Sequence, residues 1–425
     1  MSKRSQSRPG RSEDHEPERI ESGSNDPNQE ALNVALDLDA ELTDAEIESK
    51  FSETVPSGSK DQGTLPSPDA LVPWGEVGPP NPGVWVTDVL GDPFEAMTTN
   101  LGEDDEGPVV ATLVRRSFAN TFWGRRAKKH AKFVLLFVHG RNDYFYHGEF
   151  ADKITELGGA FYALDLRKYG RSLRPWQTIG YTDDLGVYDE ELNWAVATIR
   201  QEFPDSPLVA MGHSTGGLII PLWARRNTGI VDGMILNSAW LELQTMTAIR
   251  PTLQRVTTQL ARVRPRASIV GQSKNNAYYR TIAEGWAGSG FELPSDLAGF
   301  EGDPAVQGWD PLPQWKLPFS YPAPAAWMQT ILQGHAEIEK GLDLEFPILS
   351  MASVATGNEE EWTPEVFSSD LVLNAKLIAE RSVMLGRQVT TLRFPGKHDL
   401  LLSDPQVRQA IYDTVERWLR FARII

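Results

Sequence analysis

The sequence predicts an α/β protein built on one mostly parallel, doubly wound sheet. Eight short apolar or β-rich runs recur along the chain, at 84–90, 109–117, 133–138, 160–164, 207–211, 231–236, 347–351 and 388–394. Several are continuous runs, such as FVLLFV at 133–138, where a sheet with one wet face would alternate; continuous runs mark strands covered on both faces. Helical patterns lie between them, and 425 residues at 40% apolar are enough for a large core.

The elements follow in order. Residues 1–70 precede the first strand and are rich in Ser, Pro, Glu and Asp, with 7 Lys/Arg against 16 Asp/Glu. They bury too little apolar area to offset their ordering entropy, so a disordered acidic tail is expected. Leu32, Leu36 and Leu42 could anchor a short amphipathic helix within it, although a solvated tail is the simpler reading. Leu185, Tyr188, Leu192, Val196 and Ile199 are spaced for one helix face. Val407, Ile411, Val415 and Trp418 mark the last helix, with Pro405 suited to its first turn. The α/β core would then be 71–242 with 336–425. Residues 243–335 fall between the sixth and seventh strands and are too long for a single crossover, so they are expected to form a lid or cap.

Composition narrows the function. The chain has no cysteine, which removes disulfides, thiolate metal sites and a Cys nucleophile. A net charge of −17 argues against nucleic acid as a partner. No apolar run reaches the length of a membrane span, so no integral membrane segment is expected. The opening MSKRSQSRPG has basic residues without an apolar stretch behind them, unlike a secretory signal, and a cytoplasmic location is the default. Neither H-E-x-x-H nor a Gly-rich phosphate loop occurs, so neither metal nor cofactor is expected.

The chemistry concentrates after the fifth strand. Gly212-His213-Ser214-Thr215-Gly216 fits G-x-S-x-G where a strand must turn sharply into a helix. Such a turn lifts the Ser214 hydroxyl above the sheet edge, and the helix N-terminus behind it favours developing negative charge. A Gly/Ser loop is the bland alternative, but the apolar strand before and the helix pattern after argue for a nucleophile.

Four motifs in order, FVHGRNDYF, LDLRKYGRS, GHSTGG and FPGKHDLLLS, resemble those of the α/β-hydrolases. More narrowly, the chain is similar to the lid-bearing serine hydrolases related to monoacylglycerol lipases and the serine aminopeptidase group, over roughly 84–423. The resemblance implies an α/β-hydrolase fold and an oxyanion hole from the backbone N–H groups of Thr215 and Arg141, with no required role for the Arg141 side chain. It also implies that His139 shapes its loop and that Asp165 is a structural acid.

Seven histidines allow elimination of the base. His15 lies in the tail, His130 on a basic loop, His139 at a strand end and His147 early in the first helix; His213 belongs inside the elbow and His335 near the end of the insertion. His398 follows the last strand on a Gly-bearing loop, where an imidazole can reach the serine, and is assigned as general base.

The acid is less direct. In many relatives an Asp follows the seventh strand, at the position where this chain has Val354. Asp370 is the first choice to replace it: it lies at the start of the next helix and preserves the order nucleophile, acid, base. Its alternative role is a helix N-cap. Glu242, just past the sixth strand, is the second choice, and the run Glu359, Glu360, Glu361 is taken as a solvated loop.

On the substrate side, Leu253, Val256, Leu260 and Val263 give an insertion helix an apolar stripe, and 243–283 hold seven Lys/Arg and no acid. That basic stretch would suit anionic substrates or a lipid surface, or is merely a solvated face. Trp286, Trp309, Trp315, Phe319, Tyr321 and Trp327 would suit an apolar acyl pocket or a local core. The expected activity is hydrolysis of a small-molecule acyl ester through a serine triad. A peptidase or amidase is the alternative enzyme, and a non-catalytic binding protein on the same fold is the alternative class.

Overall fold

The computed structural model describes residues 82–118, 130–243, 250–270 and 276–425, with Gly124 and Lys128 between. The N-terminal 1–70 segment, its candidate helix and His15 lie outside the described residues. Val86–Thr87 (β1), Phe94–Asp104 (β2), Gly107–Arg116 (β3), Phe133–Val138 (β4), Gly159–Asp165 (β5), Leu208–His213 (β6) and Gly233–Asn237 (β7) join one sheet. Ser268–Val270 (β8) and Ala323–Pro324 (β9) pair separately, while Ile348–Ser353 (β10) and Val389–Phe394 (β11) complete the large sheet. Its order is β1-β2-β3-β5-β4-β6-β7-β10-β11. From β5 to β11 every neighbour is parallel; β1, β2 and β3 pair antiparallel at one edge.

Among the described residues the sheet has nine strands where the sequence predicts eight. The additional one is β2, whose FEAMTTNLGED is polar over its second half because only its first half is well buried. The expected 84–90 run shrinks to the two residues of β1, since Gly91 at φ 75° turns the chain back toward β2.

Both faces of the central strands are covered, as their continuous apolar runs require. Phe133, Leu135 and Phe137 of β4 enter one buried cluster with Val209, Met211, Ile411, Val415 and Trp418. Val134, Leu136 and Val138 face the other way and join Leu192, Ile199, Ala210, Leu236 and Trp223. The helices Tyr188–Glu202 and Pro405–Phe421 thus pack on opposite faces, each through its predicted stripe, and Pro405 sits in the first turn as expected.

Between β7 and β10 lie the helices Arg250–Val263, Ala277–Ala283, Gly285–Ser289, Pro304–Gln307 and Ala325–Glu339. Val256 and Leu260 of the first are buried, but Val263 is exposed, so the stripe stops one turn early; the Leu253 side chain lies outside those described.

Register aligns the loops that matter. Val138 pairs with Gly212, His213 with Asn237, Met351 with Asn237, and Ser353 with Phe394. The loops after β4, β6, β7, β10 and β11 therefore leave the sheet at one edge, which is where open parallel sheets collect ligands.

Candidate active site

At the end of β6, Ser214 has φ 51°. This left-handed conformation is uncommon outside glycine and costs on the order of 1–3 kcal/mol, which the surroundings must impose. The glycines around it explain how. A Cβ on Gly212 would lie 2.5 Å from the carbonyl oxygen of Gly216, and one on Gly216 would lie 2.5 Å from that of His139. The sharp strand-to-helix turn before the helix Gly216–Arg226 is possible only with both small. The loop after β4 comes equally close: a Cβ on Gly140 would sit 2.9 Å from Ser214 Cβ, which sets the adjoining Arg141 beside the elbow. His139 is buried and shapes this loop, its Nε2 accepting from Leu166 N–H at 3.1 Å.

His398 follows β11, 2% exposed, and its Nδ1 lies 2.9 Å from Asp370 Oδ2. With the proton on Nδ1, Nε2 is left as the basic atom. The His398 ring stands 4.9 Å, centroid to centroid, from that of His213, the residue before the nucleophile. Ser214 itself is 7% exposed, so elbow and base share one covered site.

Asp370 reaches this point by a detour. Val354 extends β10 by donating to Phe394 O at 2.9 Å, but its side chain is 45% exposed. The chain then loops out and returns so that Asp370 bridges Thr356 in parallel, its N–H donating to Ala355 O at 2.9 Å. The acid therefore stands beside the extension of the same strand end. Its Oδ1 accepts from the N–H groups of Val372 and Leu373 at 2.8 and 2.7 Å, which leaves Oδ2 for His398. Asp370 is not the helix cap that the sequence allowed. That role belongs to Asn374, ahead of the helix Ala375–Ser382.

The other carboxylates are engaged elsewhere. Glu242 pairs with Arg381 at 2.6 Å. Of the glutamate run, Glu360 and Glu361 are exposed, while Glu359 is half-buried and pushed up by burial to about 7. Asp165 is fully buried and accepts from Arg171 through both its backbone N–H and its guanidinium, each at 2.9 Å; Asp88 holds the opposite side of that guanidinium at 2.6 and 2.7 Å. It braces the loops beneath the site.

The Arg141 side chain, of which a backbone oxyanion donor requires nothing, serves as an anchor. Its guanidinium donates to the carbonyls of Tyr321 and Pro322 at 2.9 and 3.0 Å and lies over the rings of Tyr321 and Trp327. Asn142 exchanges two hydrogen bonds with Leu317, Asp143 pairs with Lys316 at 2.7 Å, and Tyr144 accepts from Leu312 N–H. Four successive residues of the loop after β4 are thus tied to segment 312–322 of the insertion. On the far side, Lys397 donates to Thr281 O at 2.8 Å and Asp399 N–H donates to Tyr278 Oη at 3.2 Å. The insertion consequently grips both the loop bearing Arg141 and the loop bearing His398.

The candidate aromatic pocket divides. Trp286 stacks on Phe367 and bonds Asp404, and Trp309 bonds Leu402 O, so both are packing residues of the insertion. Trp315 packs on Tyr144, while Tyr321 and Trp327 flank Arg141. The basic stretch is partly neutralised, Arg266 by Asp105 and Glu106 and Arg280 by Glu284.

Beneath the elbow lies a buried polar group that the sequence reading missed. Asp143, His213 and Asp399 have side-chain nitrogen or oxygen atoms within 4.8 Å of one another, and Lys316 supplies their positive charge. Lys316 holds Asp143 below the usual carboxylate range despite burial. Burial keeps His213 and His147 neutral by lowering both. Only the polar NDY after "HGR" hinted at this group, and nothing in the sequence linked it to 399.

The sheet order and its helices are those of the α/β-hydrolase fold. The family model described as serine aminopeptidase, S33, matches residues 129–285. A monoglyceride lipase homolog from Monkeypox virus is 31% identical over 110 residues, 26% of this chain and 39% of that protein. A monoacylglycerol lipase from Mycolicibacterium smegmatis is 22% identical over 288 residues, 67% of this chain and 87% of its own length. The structure of a soluble variant of monoglyceride lipase from Saccharomyces cerevisiae, at 14% identity, superposes with a TM-score of 0.51 over 81% of this chain and 97% of that one. The chain accordingly has the α/β-hydrolase fold and is similar to monoacylglycerol lipases. Among the described residues no helix is long and apolar enough to cross a membrane.

Proposed function

We propose that the protein is a serine hydrolase of carboxylic acyl esters, with Ser214 as nucleophile, His398 as general base and Asp370 as the acid. The observation that carries this is the 2.9 Å contact between His398 Nδ1 and Asp370 Oδ2, beside a serine held at φ 51°. His398 Nε2 takes the Ser214 proton as Oγ attacks the ester carbonyl, and the carbonyl oxygen becomes an oxyanion bound by the Thr215 and Arg141 N–H groups. Collapse expels the alcohol, which takes the proton from His398, and leaves Ser214 acylated. Water, deprotonated by His398, then attacks the acyl carbon and frees the acid and Ser214.

Segment 243–335 acts as the cap, with Tyr321 and Trp327 nearest the Arg141 loop as candidates to meet the substrate. Reaction with a fluorophosphonate and hydrolysis of a short p-nitrophenyl ester test the reading. Wild type should react and turn over, and Ser214→Ala should do neither. A wild type indistinguishable from Ser214→Ala would leave the fold as a non-catalytic scaffold. The serine aminopeptidase description of the matching family favours a peptidase as the second reading. Faster cleavage of an aminoacyl amide than of the matched ester would select it.

A further inference from the structure

The proposed mechanism uses one carboxylate, yet the residue after the base is a second one, buried and held with care. Asp399 Oδ1 accepts from the Asn237 side-chain amide at 2.7 Å and from Leu401 N–H at 3.0 Å. Asn237, at the end of β7, is itself a junction. Its backbone carbonyl accepts from Ser214 N–H at 3.1 Å and from His213 Nδ1 at 3.0 Å, and its side-chain oxygen accepts from Leu400 N–H at 3.2 Å. One fully buried asparagine thus ties the nucleophile turn to the base loop.

The other oxygen of Asp399 has no hydrogen-bond partner among the described residues. It faces His213 Nε2 at 4.0 Å, and because His213 Nδ1 donates to a carbonyl, that Nε2 is a bare acceptor. An asparagine at 399 could keep both bonds of Oδ1 through its own oxygen, and its amide would place a donor where Oδ2 now has none. Hydrogen bonding alone does not call for a charge here, and burying a carboxylate oxygen without a partner is costly. The charge persists all the same. Burial works against it, but the Asn237 amide and the Lys316 cation hold Asp399 below the usual carboxylate range.

We propose that Asp399 is a positioning residue for His398: through Asn237 it fixes the base loop against the elbow, and its buried negative charge favours the protonated imidazole that forms during turnover. This deepens the proposed function and rests on it. The groups facing His398 are Asp370 on its own hydrogen bond, the His213 ring and the Tyr278 ring. Those facing Asp399 are His213, His147, Lys316 and Tyr278, with Asp143 already paired to Lys316.

The test compares Asp399→Asn and Asn237→Ala with wild type in the full chain, reading imidazole titration by NMR, with His398 assigned through His398→Gln, alongside kcat, KM and the pH profile on a p-nitrophenyl ester. Asp399→Asn should fold and move the His398 titration to lower pH. The acidic limb of kcat/KM should move down with it, and kcat should fall about tenfold with KM within about threefold. Asn237→Ala keeps the charge, so it should reduce kcat without moving the acidic limb. An unshifted His398 titration in Asp399→Asn overturns the proposal. Failure of that variant to fold overturns it equally, because the carboxylate would then serve the fold. NMR needs no turnover, so a wild type without serine-dependent activity would refute the functional reading and still leave this inference to be judged.

Discussion

Asp370→Asn is the perturbation whose outcome the geometry constrains most tightly. Two backbone N–H groups, from Val372 and Leu373, point at Oδ1 from 2.8 and 2.7 Å. Both are donors, so the amide oxygen of an asparagine must occupy that place and its NH2 must face His398 Nδ1. An NH2 there requires Nδ1 to accept, which moves the ring proton to Nε2. That is the atom that has to be bare to receive the Ser214 proton. Wrong-tautomer losses of this kind run on the order of 10⁴-fold in kcat, or about 5.4 kcal/mol of barrier at 1.36 kcal/mol per decade. The fold should scarcely notice, since every backbone bond to the side chain survives.

The assay is p-nitrophenyl ester hydrolysis with Ser214→Ala as the floor, accompanied by thermal unfolding. Asp370→Asn should fall nearly to that floor with an unchanged Tm. Glu242→Gln, whose carboxylate is spent on Arg381, should retain its activity. An Asp370→Asn variant within about threefold of wild type would refute the reasoning, because no tautomer switch could then have taken place.

Other outcomes follow from packing and burial. Gly216→Ala drives a Cβ to within 2.5 Å of the His139 carbonyl, so it should destabilise by about 1–3 kcal/mol and abolish fluorophosphonate labelling of Ser214, read by denaturant unfolding and gel fluorescence. Arg171→Met leaves Asp88 and Asp165 buried without their cation and should cost about 3–5 kcal/mol, seen as a large drop in Tm. Lys397 is lowered by burial from 10.5 to about 8. The unfolded chain therefore binds more protons between those values, and stability should rise with pH across about 8 to 10.5. Lys397→Met should flatten that slope in denaturant titrations at successive pH values, and an unchanged slope would count against the burial argument.

Long apolar runs with consistent flanks were readable in advance. β4, β5, β6, β7 and β10 fall within a residue or two of their predicted positions, because burial on both faces leaves a signal that polar loops cannot imitate. β2 escaped since half of it faces solvent at the sheet edge, and the stripe through Val263 overran because helix exposure changes within a turn. At the site, Ser214 and His398 were legible from local motifs. Asp370 was chosen by chain order, and what brings it to within 2.9 Å of His398 could not be read there. A parallel bridge to Thr356 is a long-range pairing, invisible to periodicity. The Asn237–Asp399 junction escaped for the same cause, being a contact between loops 162 residues apart in sequence.

The stitching of residues 141–144 to segment 312–322 bears on modularity. Insertions on this sort of scaffold invite transplantation, one specificity module being exchanged for another while the scaffold stays put. Here the guest segment supplies the carbonyls that anchor Arg141, the amide partner of Asn142 and the cation of Asp143. A chimera that replaced it would strip support from the very loop assigned to bind the oxyanion. Donor segments would have to bring matching anchors, or the recipient would have to be rebuilt at positions 141–144 along with the graft.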